Sequence, residues 1–458
     1  MAVGTKDVII TVTGPPIQYE GVRTVLTNVQ ELAGVNHIFL EPKCFIDTGD
    51  KQDIRIPPLD LDGSDRVLER PLSGKRELYG KLVFPFEIDE DFYQGTPYRP
   101  VYQRFETDII GDAMQLARDR GIKVSIMLSL LKTPNLNEED YLVMPSGESC
   151  LPTISNKGCV NNPRIAQFGL GFLLDVVTRY RPDGVFVDWL EFTNYRFEDN
   201  LLCFCSHCEK KAEELGFDFE GMRRAAISVL EWVENATEAD LKPAGGWDSA
   251  WQRMSPNISE LFRFKALSVQ DYVKTLRREL DRNGFDDIGL YISGFAPPMN
   301  TGTGMDYRLI TNLSHQISSV VKLYRFHWGL MVGWYAMQLA RLNKRIMADA
   351  WVPFLLDMFE LEEDCVYGVE HYTMPRPHEV GPLRLENEEH KLRNVLKSAQ
   401  KQRVIPLVHA YCPREVFYHR LVVALNSDAR GMGIQRYGYA SDEKLSDIAK
   451  AISQTDTL

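Results

Sequence analysis

The sequence predicts an α/β protein folded as a (β/α)8 TIM barrel with insertions after strands 2 and 6. Eight short β-branched runs recur along the 458 residues, and each is followed by a helical pattern with a readable start or stop signal. The runs are continuously apolar rather than alternating, as expected of parallel strands covered on both faces.

The first strand is "DVIITVTG" (7–14). Two prolines follow it in "TGPPIQYEG", where an open doubly wound sheet, the competing architecture, would carry a glycine-rich phosphate turn. The second strand is 35–42, and residues 43–104 after it, rich in Pro, Asp and aromatics, form an insertion. A helix over 105–120 is closed by Gly121 and leads to the third strand, 122–131. Asn162 and Pro163 supply the N-cap and first-turn proline of a helix that runs to Pro182. The fourth strand, 184–192, reads "GVFVDWLEF". Asn257 with Glu260 three residues on marks the start of the next helix, and Gly284 its end. Strands at 288–295 and 318–328 precede a second insertion, 343–402, and strands at 403–412 and 431–441 complete the set. The chain is therefore read as one barrel domain, 1–458. Insertions on the strand-to-helix side line the mouth, where barrel chemistry is done.

A net charge of -12 disfavours nucleic acid or an anionic membrane as partner. No apolar run approaches 18 residues, and "MAVGTKDVIITVTG" lacks the apolar stretch of a secretion signal, so a cytoplasmic location is expected. No interface motif is visible, and a homo-oligomer, common among such barrels, is compatible with the sequence.

Eight cysteines are too few for a disulfide scaffold, yet Cys203, Cys205 and Cys208 crowd into six residues. Three thiols on one tight turn lack only a fourth ligand for tetrahedral zinc. Cys159 or Cys150, in the loop after the third strand, can provide it, with Cys159 preferred. A four-thiolate site is closed, so the zinc would be structural.

This Cys-x-Cys-x-x-Cys turn, placed shortly after an acidic residue ending the fourth strand and with a further cysteine some forty residues earlier, resembles the family 42 glycoside hydrolases, which include β-galactosidases. "CVNNPRIAQFGLGFLLDVVTRYRPDGVFVDWLEF" is also similar to a broader group of barrel glycosidases. The resemblance implies a structural zinc and carbohydrate hydrolysis. Two positions depart from family 42. Leu190 precedes Glu191 where that family has Asn, and the seventh strand offers His409 rather than a glutamate.

Glycosidases need two carboxyl groups flanking the scissile bond. Asp188 and Glu191 end the fourth strand, with Asp188 expected as nucleophile or charge stabiliser and Glu191 as acid/base. Their opposite parity means that a regular strand cannot aim both inward, so a bend near Trp189 is required. Glu370, in "YGVEHY" beside His371 and Tyr372, is a third catalytic candidate, and Asp183 is read as a turn residue. Sugars need aromatic faces and directional polar groups. Glu41, Trp189, Asn194, Tyr324, His327, Trp328, Asp349, His371 and Tyr437 are the expected substrate-binding residues.

The sequence thus points to a glycoside hydrolase acting on small oligosaccharides or glycosides, with no organic cofactor. The alternatives are a sugar isomerase, epimerase or lyase using His327 or a lysine as base, and a carbohydrate-binding barrel without catalysis.

Overall fold

A computed structural model describes residues 6–59, 63, 65–150 and 157–455. Eight parallel strands close into a barrel: β1 (Asp7–Val12), β2 (His37–Leu40), β3 (Lys123–Leu128), β4 (Gly184–Val187), β5 (Gly289–Phe295), β6 (Ile317–Leu323), β7 (Val404–His409) and β8 (Gly431–Gln435). Each neighbours the next in sequence, and β1 pairs with both β2 (Ile10↔Ile38) and β8 (Ile9↔Gly433), which shuts the ring. Every strand found in the sequence is present with trimmed ends, and the sixth, expected over 318–328, stops at Leu323 because helix Arg325–Leu342 begins there.

The strands are apolar on both sides because helices cover the outside and side chains fill the inside. Phe39 on β2 stacks on Phe186 on β4, with centroids 4.6 Å apart, and both lie near Tyr291 on β5. Strands β2 and β4 are separated by β3, so rings that meet must meet inside the barrel. Gly184 keeps this layer closed, since a Cβ there would stand 2.7 Å from the Tyr291 ring. At the base, Asp183 accepts a bond from the Val124 amide (2.7 Å), the turn role expected of it.

The helix caps follow local chemistry. The Asn162 side chain accepts from the Arg164 amide and opens helix Pro163–Tyr180, and Asp108 does the same for Ile109–Asp119. Gly121 and Gly284 sit just past helix ends at φ +70° and +75°, the left-handed region that suits glycine. Asn257 differs from expectation. Helix Ser259–Arg282 begins two residues later, and Asn257 contributes only its backbone carbonyl, to the Glu260 amide.

Between β2 and helix Ile109–Asp119 the chain builds a small antiparallel sheet, with Leu78–Val83 between Cys44–Asp47 and Ile54–Ile56. This insertion fastens to helix Asp442–Thr455, which follows β8. Arg70 pairs with Asp442 at 2.6 Å and Lys444 pairs with Glu69. After β6, helices Arg325–Leu342, Ala348–Met358 and Glu386–Ser398 occupy the second excursion. A third, unmarked in the sequence reading, follows β4. Helices Ser206–Leu215, Phe219–Asn235 and Trp247–Met254 intervene there before Ser259–Arg282. Phe197 stacked on Trp251 (5.2 Å) is among the ring contacts that hold it.

Candidate active site at the barrel mouth

Side-chain alternation along β4 sends Phe186 inward and therefore Asp188 inward as well. Lys322, near the end of β6, meets it: Nζ donates to Asp188 Oδ1 at 2.6 Å. Burial opposes ionisation of Asp188, but the Lys322 ammonium, with Lys132 behind it, outweighs this and holds the carboxyl below the ordinary carboxylate range. Burial likewise works against the Lys322 charge, and Asp188 and Glu191 together overcome it and raise its pKa. The two acids from the fourth strand thus act on one ammonium.

The bend required between them is present at Trp189, whose φ is +61°. A bulky residue in the left-handed region is a strained turn. Beyond it Glu191 is 1% exposed, and neither carboxyl oxygen has a hydrogen-bond partner among the described residues.

Trp189 is the centre of an aromatic wall. Its ring stacks on Tyr195 (5.3 Å), which meets Phe295 and His327 edge-on, and His327 lies flat on Phe295 at 4.9 Å. Burial first, then Lys322 and Arg66, push the His327 imidazole down to about 3, so it is neutral near pH 7 and a weak base. Tyr324 donates to Gln435 and stands edge-on to His409 at 5.0 Å. His409 Nδ1 accepts from the Tyr411 amide, which leaves the ring proton of the neutral form on Nε2. Asn194 is buried, with its backbone carbonyl held by the Tyr335 hydroxyl.

Several basic residues at the mouth escaped the sequence reading. Lys132, just past β3, places Nζ 4.1 Å from the Trp189 ring centroid, and Lys157 lies at 5.9 Å. Burial, then neighbouring lysines against the pull of Asp188, push Lys132 down to about 8. Arg66 arrives from the insertion after β2 and lies over Phe326 and Tyr411. A lysine following an apolar strand run ("LSLLKTP") was the one local signal for Lys132; Arg66 had none. Glu41 pairs with Lys43 (3.2 Å), and both line a cavity of about 240 Å³ together with Lys132, Phe168 and Phe172.

Five expected site residues lie elsewhere. Glu370 is 69% exposed and faces the exposed His371 at 3.5 Å, on the surface of the excursion after β6. Asp349 accepts from the Val369 amide and stabilises that same turn. Trp328 is core. It follows His327 on a helix, where consecutive side chains point about 100° apart, so only one of the two faces the mouth. The Tyr437 hydroxyl accepts from Asn28 and donates to Glu20 (both 2.8 Å), while Arg70 covers its ring, so it ties the first and last barrel loops together.

The Sγ atoms of Cys159, Cys203, Cys205 and Cys208 lie within 4.8 Å of one another. Four sulfurs about 2.3 Å from a zinc ion stand about 3.8 Å apart, so the set fits a tetrahedral ion with small adjustment. The Val143 amide donates to Cys203 Sγ (3.3 Å) and Asn161 Nδ2 to Cys208 Sγ (3.4 Å), the outer contacts that thiolate ligands accept. Buried Lys265 stands beside the cluster, its charge disfavoured by burial and favoured by Asp199 and the Cys203 and Cys208 sulfurs. Cys150 is engaged by Arg196 instead (2.6 Å). The cluster therefore joins the loop after β3 to the loop after β4, which carry Lys157 and Asp188.

The sequence matches no family model and no curated protein. The fold resembles the glycoside hydrolase domain of PgaB (BpsB) from Bordetella bronchiseptica, with a TM-score of 0.53 and 12% identity over 98% of each chain. It also resembles the β-galactosidase from the psychrophilic Marinomonas ef1, with a TM-score of 0.50 and 8% identity over 98% of this chain and 59% of that one. At these identities the likeness is one of fold: the chain has the (β/α)8 barrel seen in glycoside hydrolases, and no single family among them is singled out.

Proposed function

We propose that this barrel is a glycoside hydrolase acting on a small oligosaccharide or glycoside. The observation that carries the reading is the Asp188–Lys322 pair inside the mouth, with Glu191 acting on the same ammonium. A carboxylate held ionised below the mouth suits the positive charge that develops at an anomeric carbon. Glu191, with both oxygens unengaged among the described residues, is the acid/base candidate. Glu191 is 1% exposed, so access of a sugar to it requires movement of the residues that cover it. Half-buried Trp189, backed by buried Tyr195 and Phe295, offers a ring face for the sugar, and Glu41, Asn194, Tyr324 and His327 polar edges. The chain is read as one barrel domain with its excursions. A structural zinc on Cys159, Cys203, Cys205 and Cys208 braces the loops that carry the acids. Free or metal-bound thiols suit a reducing compartment, which supports a cytoplasmic location.

The test is turnover of a panel of aryl glycosides in water enriched in ¹⁸O. Hydrolysis puts one labelled oxygen into the released sugar, and Asp188→Asn with Glu191→Gln abolishes it. Turnover that survives the double amide variant rejects this assignment.

One observation favours a second reading, a sugar lyase working through an amine. Lys132 is pushed down to about 8 close to Asp188, and a lysine desolvated beside other cations is an activated nucleophile. Borohydride trapping of a substrate adduct on Lys132 would establish it, since an imine that forms there with loss of water is fixed by reduction, whereas its hydrolysis takes oxygen from water as glycoside cleavage does. Burial, then Lys322 and Arg66, weaken His327 as a base, which favours a lysine in that role.

A further inference from the structure

The mouth holds a pair of lysines that the hydrolase reading leaves unused and of which the lyase reading uses Lys132 alone. Lys132 and Lys157 are directly opposite each other in an isolated antiparallel bridge, which puts their side chains on the same side. Both reach the Trp189 ring, and Lys322 adds a third ammonium 5.3 Å from its centroid. Lys322 is neutralised by Asp188. Neither Lys132 nor Lys157 makes an ion pair among the described residues, although Asp188 attracts the first and Glu191 the second, and Lys157, 2% exposed, has no hydrogen-bond partner at Nζ among them. Like charges facing each other across a bridge are disfavoured, and burial strengthens the repulsion. Yet the chain's overall charge is -12, so cations here run against the general balance.

From this geometry we propose that the mouth binds a sugar bearing an anionic substituent, a carboxylate, sulfate or phosphate ester, seated between Lys132 and Lys157 beside Trp189. An anion there accepts charge-assisted bonds from both ammonium groups and turns a repulsive pair into a clamp. The indole supplies the apolar face for the ring that carries it. That the ligand is a sugar rests on the hydrolase reading; the anion site itself rests on the two lysines.

The experiment is calorimetric binding of glucuronate, galacturonate, glucose 6-sulfate and glucose 6-phosphate, each against neutral glucose or galactose. At least one acidic sugar is expected to bind ten-fold or more tightly than its neutral parent and to weaken as salt rises. The four acids separate carboxylate, sulfate and phosphate recognition. Lys132→Met/Lys157→Met should remove the preference, and Lys132→Met alone, at the less buried position, should reduce it if the double variant folds poorly. Lys132→Arg should retain it.

Acidic sugars that bind no better than their neutral parents overturn the proposal, as does a preference that survives loss of the lysines. Because binding is read rather than turnover, the two readings fail separately. Cleavage of neutral glycosides without acid preference rejects the anion site and leaves the hydrolase. Acid preference without oxygen incorporation from water does the reverse.

Discussion

Lys322 on β6 reaches past β5 to Asp188 on β4, and its Nζ stands 2.6 Å from Oδ1 inside the barrel mouth. Both side chains are largely withdrawn from water, at 5% and 14% exposure, so each is the other's main compensation for lost hydration.

Breaking that pair should therefore be costly. Lys322→Met is expected to lose about 3 kcal/mol in urea unfolding at pH 7, as removal of one partner from a buried pair does. Asp188→Asn/Lys322→Met should recover part of it, giving a clear coupling energy. The pH dependence has a defined sign. The folded pKa of Asp188 is depressed, so its contribution is present above the unfolded carboxylate value of about 3.9 and is lost as pH falls through the lower folded value. The stability difference between wild type and Asp188→Asn should shrink at acid pH. A difference that stays constant down to acid unfolding contradicts the pairing.

Lys132 should titrate far from a surface lysine. Amine labelling followed by peptide mass analysis is expected to show half-reactivity near pH 8, against about 10.4 for an exposed lysine. Asp188→Asn should move that midpoint lower still, because the aspartate raises it. A lowered lysine pKa costs stability while the group is charged in the unfolded chain, so this penalty fades as pH rises from 8 towards about 10.4.

The thiol cluster makes its own prediction. Purified protein should carry one zinc per chain by elemental analysis, and Cys208→Ser should lose it while Cys150→Ser keeps it. Chelation should lower the melting temperature and speed amide exchange in 157–162 and 203–208, the two segments the metal would join. Full zinc retention in Cys208→Ser would remove that residue from the ligand set.

Glu370 provides the opposite kind of test. Glu370 is 69% exposed and its one ion pair among the described residues is with a surface histidine, so Glu370→Gln should leave kcat/KM within about twofold and stability within about 0.5 kcal/mol. A hundred-fold loss of activity would return it to the site.

The eight strands were legible because a strand buried on both faces needs an unbroken run of apolar residues, which is a property of neighbours in sequence. The same holds for the Asn162 cap and for three cysteines on one turn, and the adjacency of consecutive barrel loops offered Cys159 or Cys150 as the fourth, of which the structure brings Cys159 to the cluster. Asp188 was legible as a mouth residue because it ends the fourth apolar run, where barrel chemistry is done. Glu370, Asp349 and Tyr437 misled because an acid or an aromatic looks the same in sequence whether it faces a cavity, a turn or a neighbouring loop.

The sequence by itself therefore determined the barrel, the three-cysteine turn with a fourth thiol available in the preceding loop, and the acid that ends β4, all set by short-range pattern and the order of loops. Only the tertiary structure decided which cations meet that acid. Lys322, Lys132, Lys157 and Arg66 come from separate parts of the chain, and the left-handed turn at Trp189 sets what lies beyond it. Charges interact through space and not along the chain, so their pairing becomes defined when the ring of strands closes.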